Sequence, residues 1–262
     1  MATVFAIANQ KGGVGKTTTS VNLAASLAAT RRNVLLIDLD PQGNATMGCG
    51  VDKRQLELSS YDVLMGNASV EEAVQRLPEL GLDLLPANAD LTGAEVGLLE
   101  ELGRELRLKL ALEPVKARYS HIIIDCPPSL NMLTVNALVA AEALIVPTQC
   151  EYYALEGISA LVDTVEKIRK ILNPALRIEG FLRTMYDPRN NLANQVSQQL
   201  VKHFGDRVYR TIIPRNVRLA EAPSHGLPAL LYDKSSAGAL AYLALAGEML
   251  RKDDAERLAA GS

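Results

Sequence analysis

Two lysines frame the stretch Lys11-Gly12-Gly13-Val14-Gly15-Lys16-Thr17-Thr18, and between them stand three glycines. Glycines at these positions let the backbone turn its N–H groups inward around an anion, and a helix starting just behind adds partial positive charge at the same point. Such a loop fits the holding of a phosphate chain, with Lys16 on the outer phosphates and the Thr17 hydroxyl on Mg²⁺. The usual pattern is Gly, four residues, then Gly-Lys-Ser/Thr. Here the spacing back from Gly15 lands on Asn9 to Lys11, so the first glycine is missing and a second lysine, Lys11, stands near its place. Three carboxylates complete the set. Asp38 and Asp40 lie in Asp38-Leu39-Asp40-Pro41-Gln42-Gly43-Asn44, and Asp125 closes the apolar run Ile122-Ile123-Ile124 before Cys126-Pro127-Pro128. An acid at the end of a buried strand behind a phosphate loop is a Walker B pattern, holding Mg²⁺ through its water shell.

These groups need strands and helices to position them. Val4-Phe5-Ala6-Ile7-Ala8 reads as a buried first strand and 18–29, free of Pro and Gly, as the helix behind the loop. The continuous apolar run 34–38 fits a strand covered on both faces. Further strands are predicted over 82–86, 122–126, 143–147, 177–185 and 208–213. Helices are predicted over 56–77, 91–112, 132–141, 155–172 and 237–250. Strands alternate with helices throughout, with no linker-like stretch and no internal repeat. The expectation is an α/β chain with a single doubly wound, mainly parallel sheet of about seven or eight strands, forming one domain over 1–262. In such sheets ligands bind at the C-terminal edge of the strands, where the glycine loop and all three aspartates fall.

Composition narrows the class. Hydrophobic residues are 48% and charged ones 22%, with mean hydropathy +0.07, as expected of a soluble globular chain. No apolar run approaches the roughly 20 residues of a membrane span, and the N-terminus runs straight into the first strand, which predicts a cytoplasmic protein. The three cysteines, Cys49, Cys126 and Cys150, show no CxxC spacing, which argues against a disulfide framework or a zinc site. His121, His203 and His225 have no metal-ligand spacing either. The net charge of −3 is unevenly spread: 167–218 holds eleven basic residues against three acidic ones, while the rest holds 16 against 27. Such a band suits a polyanion, or is simply a solvated surface.

With the loop KGGVGKTT, the turn DLDPQGN, the strand IIIDCPPS and the later stretch Ile213-Pro214-Arg215-Asn216-Val217-Arg218-Leu219-Ala220-Glu221-Ala222-Pro223-Ser224-His225-Gly226 all in view, the chain resembles the ParA/Soj partition ATPases. The motifs run in order from residue 5 to about 235. The resemblance implies a P-loop NTPase of the deviant Walker A class that binds ATP/ADP with Mg²⁺ and turns over slowly. It further implies an ATP-dependent sandwich homodimer that binds double-stranded DNA without sequence preference. A ParB-type centromere-binding protein stimulates hydrolysis, which resets the protein to a DNA-free monomer on the nucleoid and drives origin segregation.

By the same resemblance, Lys11 reaches across the dimer to the partner's nucleotide, Lys16 contacts phosphate, and Asp40 orients the attacking water. Thr17, Asp38 and Asp125 serve the metal. Gly12, Gly13, Val14, Gly15, Thr18 and Pro214 join the lysines and Thr17 around the nucleotide, and Arg189, Arg215 and Arg218 contact DNA. Plasmid relatives often carry an N-terminal helix-turn-helix extension; a chain opening on its first strand is expected to lack operator binding. Two rival readings share the loop. A MinD-like regulator of the division site would end in a basic amphipathic helix, whereas 253–262 is acidic and small; a P-loop small-molecule synthetase leaves the basic band without a purpose.

Overall fold

The computed structural model describes residues 2–260. The chain opens with β1 (Thr3–Ile7), α1 (Lys16–Ala29), β2 (Val34–Asp38), α2 (Asn44–Gly48), α3 (Ser60–Met65), α4 (Val70–Ala73), β3 (Gln75–Leu77) and β4 (Leu82–Leu85). It continues through α5 (Leu91–Gly97), α6 (Arg107–Leu112), β5 (His121–Asp125), α7 (Met132–Ala140), β6 (Ala143–Gln149), α8 (Ala154–Ile171) and β7 (Arg177–Tyr186). Last come α9 (Asn191–Phe204), β8 (Val208–Pro214), α10 (Val217–Glu221), α11 (Ala229–Tyr232) and α12 (Ala237–Ala260).

Among the described residues eight strands form one sheet in the order β3-β4-β2-β5-β1-β6-β7-β8. All pairings are parallel except β3 with β4. β1 lies in the middle, flanked by β5 and β6, and the chain winds outward from it in both directions, so the loop after β1 emerges at the topological switch point. Alternation along β1 feeds both faces: Val4 and Ala6 join one apolar layer, Phe5 and Ile7 the other. The first layer packs under α3, α5, α6, α7 and α8, the second under α1, α2, α11 and α12. With both faces covered, β1, β2 and β5 read as unbroken apolar runs.

Three expectations need correction. The helix predicted over 56–77 is two short helices, α3 and α4, followed by the antiparallel strand β3. Ser69 restarts the helix with a capping box, its side chain accepting from Glu72 N while Glu72 reaches back to Ser69 N. The long helix predicted over 91–112 is broken between α5 and α6. Gly103 stands there at φ 67°, and Arg104 Nη1 donates to Leu99 O at 2.7 Å, satisfying a carbonyl that a continuous helix would have engaged itself. The helix α12 runs ten residues past the predicted end at 250, while the acidic tail over 253–262 lies in part outside the described residues. The helix α9 was not anticipated, since its 14 residues carry a mostly polar surface and bury only Ala193, Val196, Ser197 and Leu200. No helix among the described residues is long and apolar enough to cross a membrane.

Candidate functional site

The glycine loop is tied down from the strands around it. Asn9 Nδ2 donates to Pro147 O on β6 at 2.7 Å, and Asn9 Oδ1 accepts from Lys11 N at 3.0 Å. From β7, Thr184 Oγ1 donates to Val14 O at 2.8 Å. Gly15 takes φ 88°, a left-handed conformation that a side chain would strain, and caps α1 with no side-chain hydrogen bond. The first N–H groups of α1 therefore open onto the loop, as an anion site requires.

Lys16 is 7% exposed and its Nζ donates to Lys11 O at 3.1 Å. Burial lowers its pKa, against the opposing pull of Asp125 and its neighbours. An ammonium buried against a carbonyl is short of negative charge, which a phosphate supplies. Lys11 behaves differently. Its side chain is half-exposed and its Nζ is paired with Glu151 just beyond β6.

Opposite the loop, β2 and β5 end side by side, with Asp38 and Asp125 in register and both fully buried. Burial raises the pKa of Asp38 to about 6, held down in part by hydrogen bonds from Thr46. Burial first, then the charge of Asp38, raises that of Asp125 to about 8, while hydrogen bonds from Ser20 and Thr17 lower it. Ser20 Oγ lies 2.8 Å from Asp125 Oδ1, whereas Asp125 Oδ2 is buried with no hydrogen-bond partner among the described residues. Asp38 is fully engaged: Oδ1 accepts from Asp40 N at 3.2 Å, and Oδ2 accepts from Thr46 N at 2.8 Å and Thr46 Oγ1 at 2.7 Å. Two buried acids side by side, one with an unmet oxygen, fit a divalent cation and its waters. Asp38 shapes the turn that carries Asp40, and Asp125 presents the open oxygen.

Asp40 is 7% exposed, and its Oδ1 accepts from Gln42 N at 2.9 Å, which leaves Oδ2 without a hydrogen bond among the described residues. A cavity of about 210 Å³ adjoins Gly15 and Thr18 and is lined by Met185, Pro214 and Asn216 among others. It brings Pro214 beside the loop. Met185 adopts φ 49° there. Sequence reasoning missed Ser20, Thr46, Thr184, Met185 and Glu151. Ser20 alone had a local signal, one helical turn after Lys16.

The basic band divides. Arg183 turns inward, donating through Nη1 to Ser197 Oγ at 3.0 Å and through Nη2 to Tyr209 O at 2.8 Å. Arg189 is almost fully exposed and grips Asp187 with Nε at 2.9 Å and Nη2 at 2.8 Å. Arg215 also acts on Asp187, so the two guanidiniums share one edge of the sheet. Arg218 pairs with Glu221 at 2.7 Å and Asp233 at 3.3 Å. Such exposed ion pairs are weak and exchange partners readily. Cys126 is buried and its thiol is pushed far up by burial, so it packs rather than reacts. Nδ1 of His121 lies 3.1 Å from Ser120 Oγ, and its Nε2 lies 3.2 Å from Asp253 Oδ2. No cluster of His, Cys, Asp or Glu among the described residues has the makings of a direct metal site.

The chain is similar to known proteins over nearly its whole length. A family model described as an AAA domain matches residues 2–178. The chain is 55% identical to the sporulation initiation inhibitor protein Soj of Bacillus subtilis, over 95% of this chain and 98% of Soj. It is 54% identical to the chromosome partitioning protein ParA of Caulobacter vibrioides, over 95% and 94%. Among solved structures, a cobyrinic acid a,c-diamide synthase from Mycobacterium smegmatis with bound ADP and magnesium superposes with TM-score 0.84 at 41% identity, covering 96% of this chain and 95% of that one.

Proposed function

Because the chain belongs to the ParA/Soj family of chromosome-partitioning ATPases, we propose that it is an ATP-gated partitioning switch whose bound nucleotide decides whether two copies pair and hold DNA. It hydrolyses ATP to ADP and phosphate and uses Mg²⁺. The loop amides and Lys16 neutralise the phosphates, and Thr17 and Asp125 hold the metal's coordination sphere. Mg²⁺ supplies charge neutralisation on the transferring phosphoryl group. Asp38 fixes the turn so that Asp40 Oδ2 is free to orient water. Lys11 leaves Glu151 and reaches the nucleotide of a second copy. Arg189, Arg215 and Arg218 then contact DNA phosphates, doubled in the dimer and therefore tighter by avidity. A ParB-type protein accelerates hydrolysis and returns the protein to a DNA-free monomer on the nucleoid.

The observation that carries this reading is the unlike state of the two lysines: Lys16 buried against the loop, Lys11 half-exposed and turned outward to Glu151. The decisive experiment is an ATPase assay with and without duplex DNA and the ParB-type protein encoded nearby. Joint stimulation is expected; a rate indifferent to both counts against the switch.

A second reading, a synthetase, is favoured by the likeness to the cobyrinic acid a,c-diamide synthase. Identity to it is lower than to Soj and ParA, and the basic edge has no task in it. Formation of an amide product from cobyrinic acid, ATP and an ammonia source would favour it.

A further inference from the structure

Eight tyrosines and three phenylalanines are the chain's aromatic residues. All are buried or half-buried except two consecutive ones, Tyr152 and Tyr153, which are 75% and 69% exposed. Their rings stand edge to face, with centroids 5.0 Å apart and planes at 90°. They occupy the turn between β6 and α8, directly after Glu151, the residue that holds Lys11. Glu151 N donates to Gln149 O at 2.8 Å and Ala154 N to Glu151 O at 3.0 Å, so the backbone holds the turn while both rings project. The turn stands at the C-terminal edge of the sheet beside the glycine loop, because β6 pairs with β1 and Asn9 bonds Pro147.

We propose that Tyr152 and Tyr153 are the aromatic anchors by which a second copy of this chain docks over the nucleotide site. This rests on the ATP-dependent dimer proposed above. The occupant follows from charge and symmetry. A polyanion would meet the Glu151 carboxylate, while a two-fold axis brings the Lys11–Glu151 pair of one copy against the same pair of the other with opposite charges matched. Tyrosine suits such a contact: a rigid ring with two rotatable angles buries much apolar area, and its hydroxyl stays hydrogen-bonded at a wet interface. Glu151 loses little on releasing Lys11, since both side chains are about half-exposed, so closing the dimer exchanges a weak contact for the partner's nucleotide.

The test uses the full chain carrying Asp40→Ala, which is expected to hold the ATP dimer. Tyr152→Ala/Tyr153→Ala should raise the dimer dissociation constant at least about tenfold by sedimentation with Mg-ATP. Monomer affinity for a fluorescent ATP analogue should stay within about twofold, and Tyr152→Phe/Tyr153→Phe should dimerise normally. A second probe is Tyr152→Cys, which should cross-link two chains through a bismaleimide with ATP and not with ADP; the three natural cysteines are buried. Unchanged dimerisation in the double alanine variant overturns the proposal. So does an intact dimer that has lost DNA binding or stimulation, which would assign the rings to another partner. A parent that stays monomeric in ATP overturns the dimer itself, an outcome visible before any tyrosine is changed.

Discussion

The two ends of the charge map are built on opposite physical terms. At the nucleotide end Lys16, Asp38, Asp40 and Asp125 are each at most 7% exposed, and each is held by at least one hydrogen bond while Asp40 Oδ2 and Asp125 Oδ2 stay open. At the basic edge Arg189 and Arg218 are exposed and pair with Asp187 and Glu221, two and three residues away, Arg218 also with Asp233. Burial strengthens electrostatics and fixes geometry, so the first region is a preorganised chemical site. Exposure screens charge and leaves side chains free to change partners, so the second is an adaptable contact surface. Substitutions should therefore act on chemistry and stability in the first region, and on salt-dependent association in the second.

The largest effect is expected at Lys16. Lys16→Ala should lower affinity for a fluorescent ATP analogue on the order of a hundredfold or more, since truncating one side of a buried charge contact costs about 3–5 kcal/mol. Lys11→Ala should leave monomer binding nearly intact and remove the ATP-dependent dimer. Equal loss of nucleotide affinity in both would erase the distinction between the buried and the outward lysine.

Ser20 comes next. Its hydroxyl spans Asp125 Oδ1 and Lys16 O at 2.8 and 3.0 Å, and it steers the carboxylate so that Oδ2 stays open. Ser20→Ala should raise the Mg²⁺ concentration for half-maximal ATP binding about tenfold, the scale of one hydrogen bond to a charged group, and Ser20→Thr should recover part of it. A Mg²⁺ dependence unchanged from wild type would make Ser20 a packing residue.

The acid pair also predicts a pH dependence. Folding raises the pKa of both Asp38 and Asp125, so the folded state binds more protons than the unfolded one between the ordinary value near 4 and about 8. The nucleotide-free protein should lose stability as pH rises through that window, and Mg-ADP should restore it at the alkaline end by neutralising the pair. Thermal unfolding from about pH 5 to about pH 8 checks this. Asp125→Asn should flatten the decline, and parallel curves for wild type and variant would remove the pair as its source.

The smallest effects belong to the basic edge. Arg189→Glu and Arg218→Glu should each leave folding and ATP binding unchanged and weaken binding to unrelated duplexes alike. The logarithmic salt slope should become shallower by about 0.9 for each phosphate that is no longer neutralised. DNA affinity unchanged in both, or equally tight without ATP, would leave these arginines as surface ion-pair partners alone.

The sequence by itself determined the glycine loop, the apolar strands that end in Asp38 and Asp125, and the alternation that yields a doubly wound sheet. Each is a local property: φ freedom at Gly15, apolar runs that demand cover on both faces, and acids at strand ends. Only the tertiary structure decided what meets across the chain. It placed Thr184 on Val14, 170 residues apart, and Ser20 on Asp125, 105 residues apart. It turned Arg183 inward from a band that composition counts as surface, and left Tyr152 and Tyr153 uncovered beside the glycine loop. It also broke the helix over 91–112, where Leu98 is buried and Leu99 and Leu102 are exposed. Periodicity says which residues prefer to be covered, but cover comes from strands and loops distant in sequence, and the sheet order that brings them together emerges only when the whole core is packed.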